Sequence, residues 1–226
     1  MFGKILTSAL FAGCAAGLVF ALLHFAFVQP LMLHAELYEF GDLVHFGPVS
    51  QASAEDLLAS GFDFKRDGLT VIFSVLVYVG FGLLLAAGMA VAEEQGAVLD
   101  AKRGALWGAA GFVAVHLAPA FGLPPELPSA AAADITARQV WWFSTVAATG
   151  GALWLLSFAK GNAAVFVAIV LLLAPHVIGA PHPDYYNGAQ PPEMAGLYVA
   201  RTLGVNLAGW VVLGAICALL WKRDPS

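Results

Sequence analysis

Leu69–Ala92 reads LTVIFSVLVYVGFGLLLAAGMAVA, twenty-four residues without one Lys, Arg, Asp or Glu. About 20 apolar residues in a helix rising 1.5 Å per residue cross the hydrocarbon core of a bilayer, so this run is long enough to span a membrane. Five more runs of similar length and apolarity surround it: Ile5–Val28, Gly104–Leu123, Val140–Ala159, Ala163–Ala180 and Leu197–Trp221. The chain as a whole is 60% hydrophobic and 11% charged, with a mean hydropathy of +0.81, which excludes an ordinary soluble domain. Backbone groups find no water inside a bilayer, so each run is expected to be helical, and the alternation of a membrane β-barrel is absent. The predicted fold class is all-α: a polytopic transmembrane helical bundle of six spans, arranged as three helical hairpins. Residues 1–226 are read as a single integral membrane domain with an acidic outer loop at 29–68.

Lys4 followed by an apolar stretch has the outline of a signal peptide, and Phe11-Ala12-Gly13-Cys14 that of a lipoprotein cleavage site. The apolar sequence nevertheless continues to Val28, so it is read as a retained span. Cys14 and Cys217 both fall inside apolar runs, where small buried side chains are expected and a disulfide is not.

Orientation follows from Lys and Arg, which accumulate in cytoplasmic loops. With six spans, Lys4, Lys102, Arg103, Lys160, Lys222 and Arg223 share the side of both termini, against Lys65, Arg66, Arg138 and Arg201 opposite. Both termini are therefore expected in the cytoplasm. Under this topology all six histidines gather at one end of the bundle. His24, His116 and His176 occupy the outer third of outward-running spans, and His34, His45 and His182 the outer loops. The 29–68 loop carries a net charge of −5, and the loop 181–196 has Asp184 and Glu193 without a Lys or Arg. Such a surface concentrates cations, although exclusion of basic residues from the outer side produces acidity by itself.

In His34–His45, polar ligand types recur three residues apart. A helix there would place Glu39, Asp42 and His45 on one face. Carboxylate with imidazole suits a divalent ion such as cobalt, nickel or zinc, whereas copper(I) wants clustered Cys or Met. An amphipathic helix lying on the membrane, with Leu37, Phe40 and Leu43 toward lipid, accounts for the same stretch.

A weak internal repeat is also present. Leu117-Ala118-Pro119, Gly122-Leu123-Pro124 and Ala137-Arg138-Gln139 parallel Leu173-Ala174-Pro175, Gly179-Ala180-Pro181 and Ala200-Arg201-Thr202. Each unit is an outward helix ending in a histidine, a Pro-rich loop and an Arg opening the return helix. Repeats in this sense would bring the histidines to one depth, as in some transporters. Pro119 and Pro175 each remove a backbone donor and free a carbonyl one turn earlier; a plain packing kink is the alternative. Arg138 and Arg201 fit snorkelling at the interface equally well. Ala9, Gly13, Gly17 and Ala21 form a small-residue face that permits close helix contact.

The segments MFGKILTSALFAG (1–13), His24-Phe25, Val28-Gln29-Pro30, HLAPAFGLPPELP (116–128), ARQVWW (137–142) and APHVIGAPHP (174–183) resemble the probable cobalt transporter subunit family CbtA, over nearly the whole chain. The resemblance implies a multi-pass component of the bacterial inner membrane, serving cobalt uptake for cobalamin synthesis rather than catalysis. It implies a small single-span, histidine-bearing partner subunit, CbtB, and cobalt(II) as cargo, with no tightly bound cofactor and no nucleic-acid partner. The family is usually described with five spans, one fewer than counted here.

No Walker-type G-x-x-x-x-G-K-[ST] occurs, so this chain is not an ATPase by that route. An inside-negative potential favours inward movement of a cation by about 2.3 kcal/mol per charge per 100 mV, which is sufficient driving force for a dication. The candidate ligands are His116, His176 and His24 at the mouth of the bundle, with His45, His34, His182, Glu39 and Asp42 delivering the ion. Ligands must be deprotonated to bind, so uptake is expected to fall as pH drops through the imidazole range, about 6.5 in water. Two other classes compete: a membrane redox protein with haem between two of the intramembrane histidines, and a non-transporting assembly subunit.

Overall fold

The structure is a computed structural model that describes residues 2–44, 63–128 and 130–223. Among the described residues every regular element is helical. Helix α1 (Phe2–Leu23) continues through a π turn (His24–Val28) into α2 (Gln29–Phe40), and α3 is Phe64–Glu94. Helix α4 (Ala101–Phe112) continues through a second π turn (Val113–Leu117) into the short α5 (Ala118–Ala120). Then come α6 (Ile135–Phe158), α7 (Asn162–Ile178) and α8 (Pro192–Arg223). Each apolar run expected from the sequence coincides with one of these helical stretches, although Gly104–Leu123, Val140–Ala159 and Ala163–Ala180 run one to three residues past the helix end. Phe2–Phe40, Phe64–Glu94 and Pro192–Trp221 are long and apolar enough to cross a membrane, and α7 is a shorter apolar helix.

Local chemistry sets several boundaries. The Asp63 carboxylate accepts the backbone N–H groups of Lys65 and Arg66 at 2.8 and 2.9 Å, which starts α3. Asp134 does the same for α6 through the Ala137 N–H at 2.9 Å. Helix α2 stops at Phe40 because Gly41 takes φ +83, a left-handed conformation that glycine adopts without penalty. The expected helix over His34–His45 therefore ends before Asp42, and the proposed common face of Glu39, Asp42 and His45 does not form as one helix. His45 itself lies outside the described residues.

The chain divides into two compact units, one of Met1–Gln29, Leu58–Phe112 and Gly204–Ser226, the other of Pro30–Leu57 and Val113–Leu203. In the first unit, helices meet through glycine. Ala9, Gly13, Gly17 and Ala21 are all buried, and a Cβ on Gly13 or Gly17 would stand 2.5 or 2.6 Å from the Cα of Val79 or Val75 in α3. The small-residue face read from the sequence is thus the α1/α3 contact. Helices α4 and α8 meet in the same way, with Gly104 and Gly108 against Gly214 and Trp210. Lipid tails are as apolar as the side chains they would release, so close backbone packing, not burial from water, holds such pairs together. Tyr78 of α3 is fully buried against Gly209 of α8, and its hydroxyl donates to the Asn206 carbonyl at 3.5 Å.

In the second unit α6 packs on α7, and the Trp141 indole N–H donates to the Pro175 carbonyl at 3.0 Å. Two loop contacts lie beside this pair: the Gln190 side-chain amide donates to the Pro128 carbonyl at 2.6 Å, and the Ala131 N–H to the Asn187 carbonyl at 3.0 Å.

Candidate functional site

The two π turns share a cause that is visible in the sequence. Each covers the residues from six to two positions before a proline: His24–Val28 before Pro30, and Val113–Leu117 before Pro119. Proline offers no N–H to the carbonyl four residues back, and a π register lets the N–H one residue further along serve instead. The Gln29 N–H donates to the His24 carbonyl in this manner. A π turn inserts one residue into the helical repeat and so rotates what precedes it by about 100° relative to an unbroken α-helix. Both turns carry a histidine. At Pro175 the outcome differs: α7 stays α-helical through the proline, whose carbonyl accepts Trp141 and the Gly179 N–H.

Of the cavities in the second unit that are built on the first two turns of α6, two are lined by histidine. The first, about 430 Å³, is lined by His116, Pro119, Glu126, Arg138, Gln139 and Trp142 among others. Arg138 donates from Nη2 to Glu126 Oε2 at 2.8 Å, with the two side chains 25% and 30% exposed. Arg138 is thus ion-paired across the loop, where the sequence allowed interfacial snorkelling.

The second cavity, also about 430 Å³, is lined by Phe121, Gly122, Trp141, His176, Gly179 and His182 among others. The rings of Phe121 and Trp141 meet that of His176 edge-on, each with centroids 6.0 Å apart. His182 Nδ1 lies 3.2 Å from the Tyr186 hydroxyl. If Nδ1–H donates to that oxygen, the Nε2 lone pair is set to meet an ion, the arrangement common to metal-binding imidazoles.

The remaining sequence candidates are dispersed. His24 opens the first π turn, in the first unit, with Phe20 and Phe25 at 5.8 and 6.3 Å. The His34 ring lies tilted against that of Tyr38 within α2, with centroids 5.7 Å apart, while Glu39 and Asp42 are exposed at and beyond its end. The structure therefore brings His176 and His182 into one cavity and His116 into another. Among the described residues no group of three or more His, Cys, Asp or Glu is placed to hold a metal ion.

One acid of the 29–68 segment is already committed to protein partners. Helix α3, at 31 residues, is about 46 Å long and exceeds the roughly 30 Å hydrocarbon core, so its first turn stands outside the apolar run. There Asp67, 3% exposed, accepts from Arg66 Nε at 2.8 Å, Gln29 Nε2 at 2.9 Å and the Asp63 N–H at 2.9 Å. The Arg66 hydrogen bond, more than those from Gln29 and Asp63, holds its carboxyl down at about 2. A carboxylate saturated by donors in this way is a structural anchor.

Glu126 and Tyr186 are the site residues that the sequence reading passed over. Glu126 and Asp134 are the only acids between Pro124 and Gln139, facing the single cation Arg138 of that loop, which is the signal that pairs them.

The sequence model of the family described as probable cobalt transporter subunit (CbtA) matches residues 2–222. No curated protein and no solved structure matches the chain.

Proposed function

The chain belongs to the CbtA family, and on that premise we propose that it admits cobalt(II), or a divalent ion like it, into the cell through a histidine-lined outer mouth. The observation that carries the reading is the placement of His176 and His182 on one cavity and His116 on the next, both founded on the start of α6. Imidazole binds first-row divalent ions well. Two ligands from the protein, with water completing the shell, give a site weak enough to release what it takes, as conduction requires.

The proposed orientation has both termini in the cytoplasm of a bacterial inner membrane, which puts these cavities on the outer side. Glu39 and Asp42, exposed at the end of α2, with His34 and His45, gather the ion ahead of them. A small single-span, histidine-bearing subunit of the CbtB kind completes the transporter in this reading.

The test is cobalt accumulation in cells stripped of their own importers, expressing the chain with and without the small subunit, with nickel and zinc as competitors. Uptake that depends on the chain supports transport. No uptake with both subunits verified in the membrane overturns it.

Pro119→Ala separates the π turn from the histidine itself. Restoring an N–H at position 119 removes the reason for the π register, and reversion to α turns His116 by about 100° out of its cavity. Cobalt uptake is expected to fall at matched protein levels, with little change in thermal stability, because the buried Pro119 ring contacts that are lost offset the backbone hydrogen bond that is gained. Unchanged uptake would mean that His116 is not positioned by the turn.

A further inference from the structure

The ion pair in the first cavity is placed where a cation is expected to bind, and it already holds one. We propose that Glu126 is a ligand of the transported ion beside His116, and that Arg138 is a built-in competitor that occupies the carboxylate until a divalent ion displaces it. This deepens the transport reading above and rests on it.

Three observations carry the assignment. Glu126, His116 and Arg138 line a single cavity. The Arg138–Glu126 contact at 2.8 Å is partly exposed at both ends, so an ion arriving from solvent reaches it without unfolding anything. Arg138 stands one turn into α6 on a helix capped by Asp134, to whose carbonyl its own N–H is bonded at 3.0 Å. The guanidinium therefore retires on a fixed backbone when it leaves the carboxylate.

The chemistry is an exchange of one cation for another. While Arg138 is bound, the carboxylate is neutralised and sodium or potassium gains little by approaching. A transition-metal dication brings twice the charge and a strong bond to the imidazole of His116, so it can displace the guanidinium where a monovalent ion cannot. The displaced Arg138 then repels the bound ion, which shortens its stay. A competitor of this kind weakens equilibrium binding and speeds release, a useful trade at the entrance of a transport path.

A plain structural staple between the loop and α6 makes a different prediction. Removing either partner of a staple breaks the same bond, so Glu126→Gln and Arg138→Gln would shift metal binding in the same direction. Under competition they shift it in opposite directions. Cobalt(II) binding to the purified full chain in detergent is followed by calorimetry and by the visible absorption of the bound ion. Glu126→Gln is expected to weaken binding at least about tenfold, and Arg138→Gln to tighten it roughly fivefold. The double variant is expected to stay well below the parent and only slightly tighter than Glu126→Gln, because without the carboxylate there is nothing to compete for and only the repulsion by the guanidinium is relieved. If Arg138→Gln yields no folded protein, Arg138→Lys, a point charge without the planar fork, gives a smaller tightening of the same sign.

Shifts of the same sign in both single variants, or no shift, overturn the proposal. A His116→Ala arm tells that failure from failure of the underlying reading. Loss of binding in His116→Ala with same-sign shifts at 126 and 138 removes the competitor alone, whereas unchanged binding in His116→Ala removes the metal site itself.

Discussion

Gly108→Leu is expected to leave no folded protein. The backbones of α4 and α8 touch at this point: a Cβ on Gly108 would overlap the Trp210 carbonyl, and one on Gly214 would overlap the Gly104 carbonyl and Gly108 backbone. Neither obstacle is a flexible side chain that can swing aside, so accommodation requires the helices to separate. Separation would cancel the contacts along the whole pair, including those of Gly104 with Ala218 and of Gly111 with the Trp210 ring. Overpacking a well-filled core costs about 1–3 kcal/mol when side chains can move, and a backbone collision belongs above that range. In a bilayer no hydrophobic gain from water offsets the loss. Detergent-solubilised protein carrying a fluorescent tag would show the monodisperse peak of the parent replaced by aggregate. Gly80→Leu, on a helix position where nothing lies within 4 Å of a Cβ, is the control and keeps the peak. A normal peak for Gly108→Leu would mean that α4 and α8 are not held together at this contact.

The same contact marks a limit of what the sequence discloses. Run lengths located the helices, because twenty-odd apolar residues have one economical solution in lipid, and the Ala9–Ala21 spacing marked a close-contact face on α1 without naming α3 as its partner. Gly104, Gly108 and Gly214 have equally suggestive spacing, but their partners are more than a hundred residues apart, and nothing local says that α4 meets α8. The prolines divide in the same way. Pro30 and Pro119 sit at a fixed offset from a π turn, so the turn has a local cause, yet Pro175 lacks one, and its carbonyl instead takes the Trp141 indole from another helix. Helix termination at Gly41 was legible in principle, since glycine is the residue that tolerates φ +83. The ligand periodicity of His34–His45 runs past this glycine, whereas the helix ends at Phe40. The Glu126–Arg138 pair is easily passed over because each charge, taken alone, has an ordinary place in a loop, and only their isolation between Pro124 and Gln139 pairs them.

Replacing His176 and His182 together by Ala is expected to abolish saturable cobalt uptake while leaving the chain in the membrane. Both histidines lie on the rim of the α6/α7 packing: His176 in the last turn of α7, and His182 just beyond Gly179, whose φ of +89 turns the chain back over the cavity. His176 and His182 are exposed, so their removal leaves no buried cavity and costs little stability. Loss of one imidazole from a site with two protein ligands should weaken the site by a factor on the order of 10–100, the range seen for groups that merely support a ligand. The informative quantity is how the single variants combine. If His176 and His182 hold one ion jointly, the second substitution adds little to the first, because the site is already lost. If they act as successive stations, the two losses multiply. Tyr186→Phe refines the picture: it removes the oxygen 3.2 Å from His182 Nδ1 but not the imidazole. A partial loss there, absent when His182 is already Ala, would show that the tyrosine works by orienting the ring. Full uptake in the double variant at parental protein levels would instead remove this cavity from the path and leave the His116 cavity as the entrance.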